Sequence, residues 1–366
     1  MGKYGGKIVI IHLFPKSKFA EPFINFLVQN FDISCHEILL YENGPHDFSD
    51  KWFEQTYIYD MDVHDLGWIY GKLQKADKII FHNLSVKTDT LFLLFFNKRL
   101  LKKAAWFIWG GDLYCFRNKR TSLAEHVVEY VRKRVIQTIP LFISWISSDC
   151  RLANLWYKTD SVNMPVAYYD EELVAVLSAL KETPKKQTKT VRILVGNSAT
   201  KTNNHAEVLN FLRKWAEDDI EIVAPLSYGD SSYGDEIEEM GKEYFGNKFN
   251  AIRTFMSRSE YFSLLNEMDV VIFNHDRQQA LGNIVALLSL GKKLYLRNST
   301  TMWETLVDDM GFGIFTIEEL KGSTINDLKS MDDDIIRKNE AIAQKHYDLQ
   351  ERVKEWEAVF SYNIKK

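Results

Sequence analysis

The sequence predicts an α/β protein made of two Rossmann-type domains in series, and three observations carry that reading. Short β-branched and apolar runs alternate with amphipathic stretches along most of the chain, the pattern of parallel sheets covered by helices. At 366 residues the chain exceeds what one hydrophobic core usually organises. Near the middle, KETPKKQTKT (181–190) interrupts the alternation: it is polar and basic, contains Pro184 and has no apolar periodicity, as a linker should. The expected domains are therefore 1–180 and 191–366.

In the first half, residues 7–13 read as a buried strand and 19–30 as the helix after it. Residues 34–41 and 53–58 are further strands, with Asn43, Gly44 and Pro45 in a loop between them. A helix is expected at 70–76, then a strand at 78–81 ending in His82 and Asn83. An apolar helix follows at 90–103 and collects Lys98, Arg99, Lys102 and Lys103 at its end. Residues 106–109 form the next strand and run into Gly110, Gly111 and Asp112. A basic amphipathic helix at 125–137, a strand at 141–146 and a helix at 147–157 complete this half.

The second half is organised around VRILVGNSATKTNNHAEVLNFLRKW (191–215). Its apolar start is a strand, broken by Gly196, Asn197 and Ser198, where Gly and Asn tolerate the positive φ of a tight turn. Thr202, Asn203 and Asn204 offer caps for a helix whose apolar face is Val208, Leu209, Leu212 and Trp215. Such a turn presents backbone N–H groups at the carboxyl edge of the sheet, where phosphates bind. A second turn of this kind lies between the strand 270–274 and the helix 280–290, which Gly291 closes before a strand at 293–296. It carries Arg277, Gln278 and Gln279, with Gly282 and Asn283 just inside the helix. The arginine fork suits a diphosphate. Each turn alone also reads as an ordinary strand-to-helix connection without a ligand. Further strands are expected at 221–224 and 249–252, helices at 233–245 and 259–266, and a helical tail over 332–360, long enough to pack on both domains.

Composition excludes several classes. Hydrophobic content of 46%, charged content of 26% and a net charge of −4 describe an ordinary globular protein and give no reason to expect nucleic acid as a partner. The three cysteines are scattered, without a CxxC pair, so neither a disulfide framework nor a zinc site is indicated. The first residues lack a signal-peptide core, and no apolar run reaches the roughly 18 residues of a membrane span. The cytoplasm is the expected compartment. No GxGxxG follows a predicted strand and no P-loop is present, which weighs against a nicotinamide enzyme or a P-loop nucleotidase.

Two α/β domains with phosphate-friendly turns in the second suggest the GT-B glycosyltransferase architecture, two Rossmann-like domains facing each other across a cleft. Three segments, in this order and spacing, sharpen that: WFIWGGDLY (106–114), ILVGNSATKTNNH (193–205) and RQQALGNIVALLSLGKKLYLRNSTTMW (277–303). They resemble the bacterial TDP-N-acetylfucosamine:lipid II N-acetylfucosaminyltransferases, or 4-α-L-fucosyltransferases, of enterobacterial common antigen assembly. The family's IWGADLY appears with Gly111 in place of alanine. Its GNSGDRSNEH appears with Ala199, Thr200, Lys201, Thr202 and Asn204, and its RQQGIGTL with Ala280, Leu281 and Asn283. The resemblance implies transfer of a deoxy-acetamido sugar from a dTDP donor to a glycan on undecaprenyl diphosphate, at the inner face of the cytoplasmic membrane. A relative from an O-antigen, lipopolysaccharide or capsule pathway would act on another lipid-linked acceptor, and a catalytically silent sugar-nucleotide-binding partner is the third reading.

The donor is expected on Gly196, Asn197, Ser198, Lys201, Asn203, His205, Arg277, Gln278, Gln279, Gly282 and Asn283. Glycosyl transfer needs a stabilised leaving diphosphate and, on an inverting route, a base for the acceptor hydroxyl. Lys201, Arg277 and the two helix N-termini suit the first need. Asp112, after a strand and a Gly pair, is the candidate base, with an N-cap as its other reading. His82 is the second candidate, or else a structural histidine. Asp60–Met61–Asp62 matches a metal-binding DxD in form only and reads as solvated loop, so no metal is expected. Residues 91–103, extended by Arg132, Lys133 and Arg134, combine apolar and basic side chains. They read either as a surface for an anionic membrane or as a core helix with a basic end.

Overall fold

Strands that are apolar over their whole length need cover on both faces, and parallel sheets flanked by helices provide it. The computed structural model describes residues 8–42, 48–182 and 189–363. Its first sheet comprises β1 (Ile10–Pro15), β2 (His36–Tyr41), β3 (Ile58–Asp60), β4 (Lys78–His82), β5 (Ala104–Phe107), β6 (Leu141–Ile143) and β7 (Val162–Met164), in the order 3-2-1-4-5-6-7. The second comprises β8 (Val191–Val195), β9 (Ile220–Pro225), β10 (Phe249–Ile252), β11 (Val270–Phe273), β12 (Lys293–Leu296) and β13 (Phe315–Thr316), in the order 10-9-8-11-12-13. Every pairing in both sheets is parallel. In each, strand order reverses beside the first strand, between β1 and β4 and between β8 and β11. Ligands of such sheets settle at the carboxyl ends of that pair.

The chain divides into two units, Met1–Glu171 with Asp348–Lys366, and Glu172–Tyr347. This differs from the boundaries read from the sequence. The tail is two helices, Asp333–His346 and Leu349–Ser361, and the second returns to the first unit instead of staying with the second. Trp356 and Val359 are fully buried there with Phe23 and Ile24. The Lys78 ammonium takes the last carbonyls of that helix, Val359, Phe360 and Tyr362, which have no partners within the helix. The helix Glu171–Glu182, not anticipated, goes almost entirely with the second unit. Most of the expected linker (183–188), the loop residues Asn43, Gly44 and Pro45, and residue 7 of the first expected strand lie outside the described residues.

Local differences matter for the site. Strand β5 begins two residues earlier than expected, because Ala104 and Ala105 pair with Ile79 and Ile80. Trp109 is thereby released beyond the strand end. The stretch 90–103 is two helices, Thr88–Phe96 and Lys98–Leu101, broken at Asn97, whose ψ of 60° leaves the helical region. The strand expected at 53–58 starts only at Ile58. Asp60 and Asp62 are not solvated loop: Lys16 bridges both, Lys87 bridges Asp62, and Met61 is buried between them. Two ammonium groups thus already compensate the pair. The short edge strands β7 and β13 went unpredicted, being too short and too exposed to show an apolar alternation.

Candidate active site

In the second unit the two turns are one structure. Gln279 joins them: its Nε2 donates to Asn197 Oδ1 and Ser198 Oγ at 3.1 Å each, and its Oε1 accepts from Thr202 Oγ1 at 2.8 Å. The Asp276 amide donates to the Thr202 carbonyl at 3.1 Å, and Asn204 Nδ2 to the Asn274 carbonyl at 2.9 Å. Asn203 is the hinge pin of the first turn. Its Oδ1 accepts from the Asn197 amide at 2.9 Å and from His275 Nε2 at 3.0 Å, so that imidazole nitrogen carries the proton. Burial pushes His275 down to about 3 and His205 down to about 4, so both rings are neutral frame elements. Gly196 has φ +69°, and a Cβ there would run into His205 Nε2 and Asn203 Oδ1. That position admits only glycine.

The remaining donor candidates divide into frame and opening. Asn283 Nδ2 is held by the Tyr261 hydroxyl at 2.8 Å. Asn204 does not cap the helix His205–Leu212 through its side chain; it sits at φ +51° and bonds across to the second turn instead. Lys201 is exposed, Arg277 is half-buried with Nη1 donating to the Gln278 carbonyl at 3.0 Å, and Gln278 Oε1 is buried without a hydrogen-bond partner among the described residues. At Gly282, in the first turn of the helix Leu281–Ser289, a Cβ would meet nothing within 4 Å. Two helix N-termini and two cations at one sheet edge suit a diphosphate. Sequence reasoning missed Tyr228 and Gly229. The Tyr228 hydroxyl accepts from Asn197 Nδ2 at 2.7 Å, and Gly229, at φ +112°, packs its backbone against Ala199. Only a Tyr-Gly-Asp turn after β9 hinted at them.

In the first unit both candidate bases are buried and engaged by other protein groups. The Asp112 carboxylate is buried, with Oδ2 accepting from the Leu84 amide at 2.9 Å and Trp106 Nε1 at 2.6 Å, and Oδ1 from the Trp109 amide at 2.9 Å. Burial pushes its pKa up against the pull of these donors and of Arg132. It is not the N-cap of the following turn either: that position is Gly110, without a side-chain cap, and Asp112, inside the short helix Gly111–Tyr114, ties the loop after β4 to the turn after β5. Arg132 is likewise buried, donating to the Asp112 carbonyl and the Tyr157 hydroxyl, and so leaves the basic surface to Lys133 and Arg134. His82 is fully buried and both its nitrogens are engaged, Nε2 with His12 at 2.9 Å and Nδ1 with the Tyr168 hydroxyl at 2.7 Å.

The family model described as 4-alpha-L-fucosyltransferase, glycosyl transferase group 56, matches residues 70–361, well over half of the chain. The chain belongs to that family. It is a nucleotide-sugar-dependent glycosyltransferase. Solved structures agree on the fold. A glycosyltransferase from Rickettsia africae ESF-5 is 13% identical, with 98% of each chain covered and a TM-score of 0.65. WaaG, a glycosyltransferase involved in lipopolysaccharide biosynthesis, is 10% identical, with 97% of this chain and all of that one covered, at a TM-score of 0.61. Anabaena Alr3699/HepE, solved with UDP and glucose, is 14% identical, with 96% of this chain and all of that one covered, at a TM-score of 0.63. The two-sheet architecture is thus the GT-B fold. The geometry bears on two departures from the family motifs. At Gly111 a Cβ meets nothing within 4 Å, so the family's alanine and this glycine are interchangeable. At Ala280 φ is +56°, a conformation that favours the glycine the family usually places there.

Proposed function

We propose that this enzyme transfers a deoxy-acetamido sugar of the N-acetylfucosamine type from a dTDP donor to a glycan on undecaprenyl diphosphate, in the assembly of a bacterial surface polysaccharide such as enterobacterial common antigen or O-antigen. The observation that carries the reading is the family match over a donor edge in which Gln279 locks both phosphate-friendly turns together. In this reading the departing diphosphate is met by Arg277, Lys201 and the helix N-termini, so that protein cations do the work a metal would do. Lys201, Asn204 and Asn283, where this chain departs from the family pattern, support a second reading, the same chemistry with another nucleotide sugar for O-antigen or capsule. A thermal-shift panel of dTDP, UDP, GDP, CMP and NAD separates them, since a ligand at ~100 times its Kd stabilises by about 2.7 kcal/mol. Stabilisation by dTDP alone supports the first reading; stabilisation by UDP alone selects the second; stabilisation by NAD alone overturns both. Binding without sugar transfer to any lipid-linked acceptor would leave the silent partner.

A lipid-linked acceptor calls for attachment to the inner membrane face, and no helix among the described residues is long and apolar enough to cross a membrane. The proposed surface is on the first unit. Leu91 and Leu94 are core residues, but Phe96 is 76% and Leu123 82% exposed, and Val127 and Tyr130 extend the patch beside Phe95. Phe96, Lys98 and Arg99 also line a groove of about 910 Å³. Apolar rings among lysines and arginines suit anionic lipid. Replacing Lys98, Arg99 and Lys102 by Gln is expected to reduce sedimentation with anionic vesicles, as is added salt. Equal partition onto neutral and anionic vesicles would contradict this surface.

A further inference from the structure

The carboxyl edge of the first sheet carries an aromatic wall. Phe19, 40% exposed, follows β1, and Trp109 follows β5; these strands flank β4. The two rings meet edge to face, with centroids 5.1 Å apart and planes at 72°. The wall lies where strand order reverses, the place at which such sheets take ligands.

Behind Trp109 runs a buried chain of hydrogen bonds whose direction one group dictates. The indole Nε1 only donates, and it donates to the Tyr168 oxygen at 3.0 Å. The Tyr168 hydroxyl therefore gives its own proton to His82 Nδ1, 2.7 Å away. His82 must then hold its proton on Nε2 and donate to His12 Nδ1 at 2.9 Å, and His12 in turn donates from Nε2 to His36 Nδ1 at 3.0 Å. In this direction all three imidazoles carry their proton on Nε2, and burial, which lowers the pKa of each, keeps them neutral. Five side chains from three strands and two loops are thus locked in one arrangement, and a buried network satisfied throughout is rigid.

We propose that Trp109 and Phe19 form the wall on which one pyranose ring of the acceptor stacks, and that His36, His12, His82 and Tyr168 are positioning residues that hold the wall. The inference rests on the glycosyl-transfer reading above. A pyranose has an apolar C–H face and a hydroxyl rim, and two part-exposed rings at the edge of a parallel sheet match the first of these. Deletion of one ring is expected to weaken binding about two- to tenfold, the range for an aromatic contact.

The test uses the full chain and the methyl β-glycoside of N-acetylglucosamine as probe, followed by saturation-transfer NMR, with dTDP calorimetry on the same samples. The wild-type protein is expected to transfer saturation to the ring C–H protons, and Phe19→Ala, at an exposed position, and Trp109→Ala to weaken it. Trp109→Phe keeps a ring but removes the donor. Histidine ¹⁵N spectra should then pass from a single Nε2–H form to a mixture, which a merely space-filling indole would not cause. No transfer in the wild type, or unchanged transfer in both alanine variants, overturns the site while intact dTDP binding leaves the donor reading standing. Absence of binding by any nucleotide would sink the donor reading instead. Unchanged ¹⁵N spectra in Trp109→Phe overturn the positioning role.

Discussion

Both sheets reverse strand order beside their first strand, yet the two edges created there have opposite chemistry. The second unit fills its edge with short polar residues, Asn197, Ser198, Asn203 and Gln279, that hold one another, pack against Gly196 and leave the space at Gly282 open. The first unit fills its edge with Phe19, Trp109 and Tyr168, backed by three buried histidines and the Asp112 carboxylate. Topology provides a crevice in either case, and side chains decide whether it is lined by amides and hydroxyls or by aromatic rings. The same contrast shows in the carboxylate beyond β5. Asp112 accepts from the Leu84 and Trp109 amides and the Trp106 indole and so fastens the aromatic edge.

Acid is expected to separate the two edges most. His12 and His82 are held well below the ordinary value of 6.5, and His36 is lowered to about 4, all by burial. Their folded pKa values lie below the unfolded one, so above pH 6.5 they have no effect. As pH falls below 6.5 the unfolded chain binds protons the fold refuses, and stability drops by up to ~1.4 kcal/mol per pH unit for each group until its folded pKa is reached. In the second unit His205 and His275 are lowered in the same way, to about 4 and about 3. Thermal melts between pH 7 and 4.5 should therefore show the first unit losing more; equal losses would contradict the chain of neutral imidazoles. Next in size, Asp112→Asn should lower stability by roughly 3 kcal/mol, since an amide NH₂ must face one of three N–H donors. Its dTDP affinity should be normal. Lost turnover at full stability would return Asp112 to the chemistry. In the second unit, Arg277→Ala should weaken dTDP binding by roughly 1.5–3 kcal/mol by calorimetry, with the melt unchanged. Smallest is Ala280→Gly, expected to raise stability by about 1 kcal/mol through relief of its positive φ, read from denaturant midpoints.

Much of this was legible in residue order. Both sheets, the first helix after each central strand, and the turns at 196–204 and 275–280 follow from periodicity and Gly/Asn punctuation, which are local properties. The family followed from three short motifs. Which residues would touch a ligand was less legible. His82 and Asp112 stand at strand ends in the sequence, but their partners His12, Tyr168, Leu84 and Trp106 lie 6 to 86 residues away.

By itself, then, the sequence determined the alternation of strand and helix, the doubled parallel sheet and the phosphate-friendly turns, because each depends on neighbours within a few residues. Tertiary structure alone decided that Gln279 joins the two turns, that the helix Leu349–Ser361 returns to the first unit through Trp356 and Lys78, and that Trp109, Tyr168 and three histidines meet in one buried chain of hydrogen bonds. Those outcomes depend on which buried donor meets which acceptor across distant segments, and only the packed chain brings them within hydrogen-bond distance.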